Sequence, residues 1–289
     1  MKNKRLTARR LSKTKKTSKN YIKYLVGVAL LLLVIIIISF MTTRHWDGKS
    51  RLEIVKVEKN GEVVVEILDP STSSISLIKL PKDTEVMASH QLGIWKLGSI
   101  WKLGQDQKFG GEFLRSTVIK SFKFPVEEWE GEGSGSFTFW DKVEIFAFNL
   151  SVKENQKITI DLADSDYLVR SKLSDGSIGY KISDKMPIFI STLFADPALF
   201  NKDINLVINN ATSSDNVASS VAKVIEVLGI KVTSINKLSE NNDDCIISGT
   251  NNTAMKKLSK IFNCQIVSKG SQNNFDVEVN LGKAFKSRF

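Results

Sequence analysis

The pattern of apolar and polar positions separates one long apolar run near the start of the chain from many short alternating or helical segments after it. Residues 25–41 carry no charged side chain and are dominated by Leu, Val and Ile. As a helix this run would rise about 26 Å, close to the roughly 30 Å hydrocarbon core of a bilayer. With its flanks it predicts a membrane-spanning helix over 24–43, because in lipid a helix bonds its backbone groups internally.

The short segments between 50 and 196 predict a mixed α/β unit. Alternating apolar residues predict strands, apolar residues three or four apart predict helices, and Asn60-Gly61 predicts a two-residue hairpin turn. The predicted elements are hairpins over 51–68 and 167–182, a strand over 75–80, and helices over 111–122, 139–150 and 188–194.

Two Gly-containing stretches interrupt this unit. Ile-Trp-Lys-Leu-Gly occurs twice between Gly93 and Gly104, which predicts a locally repeated surface that carries Trp95 and Trp101. The run over 131–136 is open to two interpretations, a phosphate-binding loop or a plain loop. We favour a plain loop, because no Gly-Lys-Ser/Thr follows.

The C-terminal unit, 203–289, has the most regular pattern and predicts an α/β sandwich of two strand–helix–strand units. Its predicted strands are 204–208, 230–235, 245–248, 265–267 and 275–279, and its predicted helices cover 217–228 and 255–262. If strands 245–248 and 265–267 are parallel neighbours, Cys245 and Cys264 lie near one end of the sheet. They could form a disulfide in an oxidising compartment or serve as two small buried apolar residues.

Charge sets the expected orientation. Residues 1–23 carry ten Lys or Arg and no acid, whereas the rest of the chain carries 31 basic and 31 acidic side chains. The positive-inside rule then predicts a cytoplasmic tail over 1–23 and extracytoplasmic domains after the span. The alternative, a cleaved signal peptide, usually has a shorter apolar region and a small-residue cleavage site, which we do not see after Phe40.

The basic tail is also open to two interpretations. A Lys/Arg run attracts phosphate, either of nucleic acid or of anionic lipid headgroups. The tail directly precedes the apolar run, and no aromatic residue is interleaved up to Lys19. We therefore favour membrane lipid and expect no nucleic-acid partner.

Several segments resemble the LytR-CpsA-Psr (LCP) envelope proteins. The strand 204–212, the Ala/Val helix after it, Gly229-Ile-Lys-Val232 and the closing segment 276–282 resemble the C-terminal domain of that family. Upstream, Asp69-Pro70-Ser71-Thr72, residues 75–80 and Pro81-Lys82-Asp83-Thr84 resemble a reduced form of its catalytic domain. The family has Pro-Arg-Asp-Thr where this chain has Pro81 to Thr84.

The resemblance implies transfer of a polymer from a polyprenyl pyrophosphate carrier to cell-wall glycan, with Arg, Asp and Mg²⁺ holding the pyrophosphate. This chain lacks a counterpart of the family's Asp/Arg cluster between Arg51 and Leu68. The family's later Arg-rich segment is also missing, and Arg170 is a lone Arg in a predicted hairpin. Lys82 stands where the family has an Arg, and a Lys ammonium cannot make the two parallel hydrogen bonds that a guanidinium makes to a phosphate. Lys82 and Asp83 remain as catalytic candidates, the alternative being a solvated loop pair. We expect no metal site and no cofactor, because the two His residues are isolated.

The resemblance also gives the aromatic segment near 140 a second interpretation. Phe139, Trp140, Val143 and Phe146 could line a tunnel for a polyprenyl chain, or they could form an ordinary domain core.

The sequence therefore predicts a single-pass cell-envelope protein with a degenerate LCP-like domain over 50–196 and a LytR-type domain over 203–289. We expect binding or scaffolding in wall-polymer assembly, with membrane lipid, polyprenyl phosphate or wall glycan, and an envelope protein as partners. One alternative is a divergent phosphotransferase that uses Lys82 and Asp83. Another is a tethered adaptor that is recognised through 203–282.

Overall fold

The computed structural model describes residues 23–37, 45–200, 202–267 and 275–289. Residues 23–37 form a helix, α1, whose side chains are exposed. Among the described residues, no helix has both the length and the apolar character needed to cross a bilayer. The predicted span over 24–43 runs beyond this part of α1, since residues 38–43 lie outside the described residues, as do residues 1–22 of the predicted basic tail.

The middle unit is mixed α/β, as predicted. In chain order its described elements are β1 (Leu52–Val57), β2 (Val63–Asp69), β3 (Ser74–Leu80), β4 (Glu85–Met87), β5 (Ile94–Lys96), α2 (Leu97–Asp106), α3 (Gly111–Phe122), β6 (Glu128–Gly131), β7 (Ser134–Gly135), α4 (Phe139–Ser151), β8 (Lys157–Asp161), β9 (Leu168–Lys172), β10 (Ile178–Ile182), α5 (Ile188–Phe194) and α6 (Pro197–Phe200). Six of the strands form one sheet, in the order β7-β6-β1-β2-β3-β8.

The first hairpin is confirmed, but its turn is longer than predicted. β1 and β2 are antiparallel, with Leu52 opposite Leu68 and Val57 opposite Val63. Residues 58–62 therefore form the connection, closed by a hydrogen bond from the Glu58 amide to the Glu62 carbonyl at 2.9 Å. Asn60 and Gly61 therefore lie within a five-residue loop and do not form a two-residue turn by themselves.

Helices cover both faces of the sheet, because successive side chains of a strand point to opposite sides. Val55, Val65 and Ile78 pack in one cluster with the apolar residues of α3. On the other face, a second cluster joins strand residues to Trp46 and α4; its buried members are Trp46, Leu52, Ile54, Leu68, Ile75, Ile145 and Val152.

The repeated Ile-Trp-Lys-Leu-Gly sequence does not form a repeated surface. Its first copy places Trp95 in strand β5, and its second copy places Trp101 in helix α2. The Trp95 indole donates to the Leu92 carbonyl at 2.8 Å, whereas the Trp101 ring packs 5.9 Å from that of Trp129. Ile-Trp-Lys therefore adopts different structures in the two copies, with different tertiary partners, whereas Leu97 and Gly98 already belong to α2.

The C-terminal unit contains two strand–helix–strand units, as predicted. Its described elements are β11 (Leu206–Asn210), α7 (Asp215–Val227), β12 (Val232–Lys237), β13 (Cys245–Gly249), α8 (Asn252–Phe262), β14 (Gln265–Ile266), β15 (Val277–Leu281) and α9 (Lys283–Arg288). The sheet order is β12-β11-β15-β13-β14. β15 lies between the two units, parallel to β11 and antiparallel to β13.

A disulfide joins Cys245 and Cys264, whose Cα atoms are 4.7 Å apart. β13 and β14 are parallel neighbours, with Ile246 opposite Gln265. Cys245 is the first residue of β13 and Cys264 directly precedes β14, so this register brings both to the same end of the sheet. The crosslink therefore ties the end of α8 to the first residue of β13.

Candidate functional site

Charged side chains from the two units meet between β1 and α8. We call this group the junction cluster; it consists of Glu53, Glu127, Asp196, Lys257 and Lys260. Glu53 lies on β1 and Glu127 directly precedes β6, whereas both lysines lie on α8. The apolar side of α8 packs in the core, which directs Lys257 and Lys260, three residues apart, toward the carboxylates.

Lys257 is the centre of this cluster. Its side chain is 8% exposed, and its ammonium donates to Glu53 Oε2 at 2.7 Å and to the Arg51 carbonyl at 3.0 Å. It also forms a close ion pair with Glu127, while Lys260 lies 3.3 Å from the second oxygen of Glu127. Two buried carboxylates thus share one buried ammonium.

The protonation of the cluster follows from burial and from these neighbours. Burial raises the pKa of Glu53 to about 7, against the opposing charge of Lys257. Burial alone would also raise the pKa of Glu127. The positive charges of Lys257 and Lys260 outweigh this effect, so the pKa of Glu127 is lowered. The pKa of Lys257 is raised, because Glu127 and Glu53 outweigh the effect of its burial. At neutral pH the ammonium is charged and is neutralised mainly by Glu127.

An ion pair between Arg51 and Asp69 lies beside the junction cluster. The pairing of Leu52 with Leu68 places these residues next to each other at one end of the sheet. Arg51 also donates to the carbonyls of Leu193 at 3.0 Å and Ala195 at 2.5 Å. Its Nε is buried and has no hydrogen-bond partner among the described residues.

A cavity of about 460 Å³ joins these groups to the surface. Its charged and titratable lining comes from the segment before β1, from the Arg51–Asp69 ion pair, from the residues directly before β6 and α6, and from α8. These residues are His45, Asp47, Lys49, Arg51, Asp69, Glu127, Asp196, Lys256, Lys257 and Lys260. Both cationic and anionic groups line it, and Lys256 and Lys260 are its exposed cations on α8. No group of three or more His, Cys, Asp or Glu in the described part of the chain is placed to hold a metal ion.

Lys82 and Asp83 do not belong to this site. Both are exposed in the turn after β3, where the Gly98 amide donates to the Lys82 carbonyl and the Tyr180 amide to the Asp83 carbonyl. β3 pairs with β2 so that Leu80 lies opposite Val63, at the end of the sheet away from Asp69. A strand of this length separates the two places by about 20 Å. Through these two hydrogen bonds the turn attaches to α2 and β10.

The predicted tunnel residues lie on the outer side of α4. Phe139, Val143 and Phe146 are exposed, and Trp140 is half-buried with its ring 5.2 Å from that of Phe139. Neither a core nor an enclosed tunnel fits this exposure. The opposite side of α4 is buried instead, because Trp46 packs there edge-on against Phe148 at 5.8 Å.

The junction cluster does not follow from the sequence pattern. One signal was available: Glu53 is a charged residue within the otherwise apolar segment 52–55 of β1. A charge at a buried strand position needs a partner of opposite sign. Nothing in the sequence indicated that the partner, Lys257, would come from a position 204 residues later.

Comparison with known proteins gives distant structural neighbours. No protein-family model and no curated protein matches the sequence. A transcriptional regulator, yvhJ from Bacillus subtilis, has a TM-score of 0.35 at 9% identity over 47% of this chain and 91% of that one. TagT bound to LIIa-WTA has a TM-score of 0.38 at 10% identity over 48% of this chain and 88% of that one.

A third neighbour is described as the LytR-CPS2A-psr family protein YwtF (TagT) with bound octaprenyl pyrophosphate lipid. It has a TM-score of 0.25 at 10% identity, over 76% of this chain and 94% of that one. LCP proteins are thus among the structural neighbours of this chain. These TM-scores lie below 0.5, so the likeness is distant.

Proposed function

We propose that this chain is a single-pass cell-envelope protein whose extracytoplasmic part binds or scaffolds components in wall-polymer assembly. The basic run over 1–23 and the apolar run after it support the anchor and a cytoplasmic N-terminus. The resemblance of 203–282 to the LytR-type C-terminal domain supports the link to wall polymers. The units over 50–196 and 203–289 then lie outside the membrane.

The pairing of the buried cations supports a binding role without phosphotransfer. A phosphotransferase stabilises developing charge with donors that are directed at the phosphate. Here the Arg51 guanidinium holds Asp69 and two carbonyl groups, and the Lys257 ammonium holds Glu53 and Glu127. Breaking such a buried pair costs about 3–5 kcal/mol, which a phosphate ligand would have to repay.

A divergent phosphotransferase is the second candidate, and one observation favours it. Arg51 Nε is buried without a partner among the described residues, and Arg51 shares its cavity with the exposed Lys256. A phosphate in that cavity would find an unused donor there. In this candidate, Lys82 and Asp83 would act at a separate place or not at all.

The test uses the full chain in lipid nanodiscs with a radiolabelled lipid-linked glycan, Mg²⁺ and purified wall glycan. We expect the protein to sediment with wall glycan, or to carry polyprenyl phosphate in native mass spectrometry, without moving the label to the wall. Transfer of the label would refute the scaffold proposal. Arg51→Gln and Lys82→Ala would then assign the site, with Lys59→Ala, an exposed lysine of the 58–62 loop, as the control.

A further inference from the structure

Helix α4 carries an apolar stripe that faces away from the protein. We call Phe139, Val143, Phe146 and Leu150 the α4 stripe; they are 70%, 45%, 65% and 72% exposed. At 100° per residue these four positions fall within a narrow arc of the helix. The opposite side, with Asp141 and Ile145, is buried. A surface helix ordinarily turns a polar face outward, so a continuous exposed apolar stripe indicates a surface that another apolar phase covers.

The start of the folded part is fixed to the first turn of the same helix. The backbone amides of His45 and Trp46 donate to Asp141 Oδ1 at 2.8 and 2.9 Å. The Trp46 ring is 2% exposed and packs against Phe148. The Asp141 carboxylate also accepts from the amide of Thr138, the N-cap residue, at 2.9 Å, which completes the capping box of α4. Residues 45 and 46 therefore cannot move away from α4 without exposing Trp46.

Chain length then brings α4 to the bilayer. Thr43 is the last residue of the predicted span, and three residues further on Trp46 is held at α4. An extended chain covers at most about 3.6 Å per residue, so the Cα atoms of Thr43 and Trp46 are no more than roughly 11 Å apart. The headgroup layer on each side of the hydrocarbon is about 5–8 Å thick. The N-terminal end of α4 is therefore within reach of the headgroups, whatever path the connecting residues take.

We propose that the α4 stripe docks on the outer leaflet of the membrane that anchors the chain, with Phe139 and Phe146 inserted at the level of the acyl–headgroup boundary. This inference rests on the proposed anchor. Interfacial helices bury Phe, Leu and Trp about 5–10 Å deep and keep basic residues at the phosphates. Trp140 lies at the edge of the stripe, and Lys142 is exposed on its flank. Docking would fix the junction cavity, whose lining includes His45, close to the membrane surface.

The experiment measures depth with the full chain in nanodiscs that contain spin-labelled lipids. A maleimide fluorophore is attached at an introduced cysteine, since the native pair forms a disulfide. Labels go to Phe146→Cys in the stripe, Ile35→Cys in the apolar run, and Asn60→Cys in the β1–β2 loop, about 20 Å along the strand from Leu52. We expect strong quenching at positions 35 and 146 and little at position 60.

The outcomes separate the two proposals. Quenching at position 35 with none at 146 overturns docking and leaves the anchor intact, whereas no quenching at 35 overturns both. Equal quenching at 60 and 146, or disulfide crosslinking between two copies through Phe146→Cys, also overturns docking, and the crosslink would identify an interface between copies. With the label at Leu150→Cys, Phe139→Ser plus Phe146→Ser should lower quenching roughly threefold, whereas Lys142→Ser should not.

Discussion

Replacing Lys257 by Met is the sharpest test of the junction cluster. The side chain of Met is similar in length and apolar, so it fills the space but leaves Glu53, Glu127 and Asp196 without their shared ammonium. The side chains of Glu53 and Glu127 are 0% and 3% exposed, so both carboxylates lose their partner in a buried environment. Removing one partner of a buried ion pair typically costs 3–5 kcal/mol. Since Glu53 can take up a proton, we expect a loss near the lower limit, about 3 kcal/mol at pH 7.

The assay is urea unfolding of the full chain in detergent, followed by Trp fluorescence. Lys256→Met is the matched control, because Lys256 is exposed on the same turn of α8, and it should change the free energy of unfolding by less than about 0.5 kcal/mol. Adding Glu127→Gln to Lys257→Met should restore most of the lost free energy of unfolding. The deficit should also shrink at pH 5, where unpaired carboxyls become protonated. Equal effects of Lys256→Met and Lys257→Met, or a deficit that does not depend on pH, would refute the reasoning.

Three further predictions concern stability in the same assay. In the wild type, the pKa of Glu53 is raised from 4.5 to about 7, so the native state binds this proton more tightly. Protonated Glu53 therefore contributes up to about 3 kcal/mol to the free energy of unfolding below pH 4.5, and this contribution is lost as the pH rises through 7. Glu53→Gln should flatten this dependence of stability on pH. Arg115→Met should cost about 3 kcal/mol, because the buried guanidinium donates to the carbonyls of Lys260 and Ile261 in α8; an unchanged unfolding midpoint would contradict this. Reducing the disulfide, which closes a separation of 19 residues, should cost about 3 kcal/mol, and Cys245→Ala with Cys264→Ala should make the protein insensitive to reductant.

Local patterns predicted most of the elements. The helix over Ile188–Phe194 and the hairpin of β9 and β10 appear where the spacing of apolar residues placed them. The two copies of Ile-Trp-Lys-Leu-Gly mark the limit of this approach. Ile-Trp-Lys is strand β5 in the first copy and part of helix α2 in the second, so intrinsic propensity could not decide between them, and packing of Trp101 against Trp129 favours the helix.

The candidate site was harder to predict because its parts are distant in sequence. A short local resemblance makes Lys82 and Asp83 candidates, yet they occupy the opposite end of the sheet from Arg51 and Asp69. The pair that does form, Arg51 with Asp69, depends on the register of β1 against β2. Its relation to Lys257 depends on how α8 meets that sheet, which no periodicity along the chain encodes.

The α4 helix shows why a correct element can carry a wrong assignment. Spacing of Phe139, Val143 and Phe146 established a helix with an apolar stripe, and a stripe is usually the buried side. α4 has a second apolar side, and Trp46 pairs with that one through Phe148. A helix with two apolar sides on a soluble protein would be a liability. If the domain is tethered within about 11 Å of a bilayer, as we propose, the second side faces an apolar phase, and the residues that fit neither core nor tunnel contact lipid.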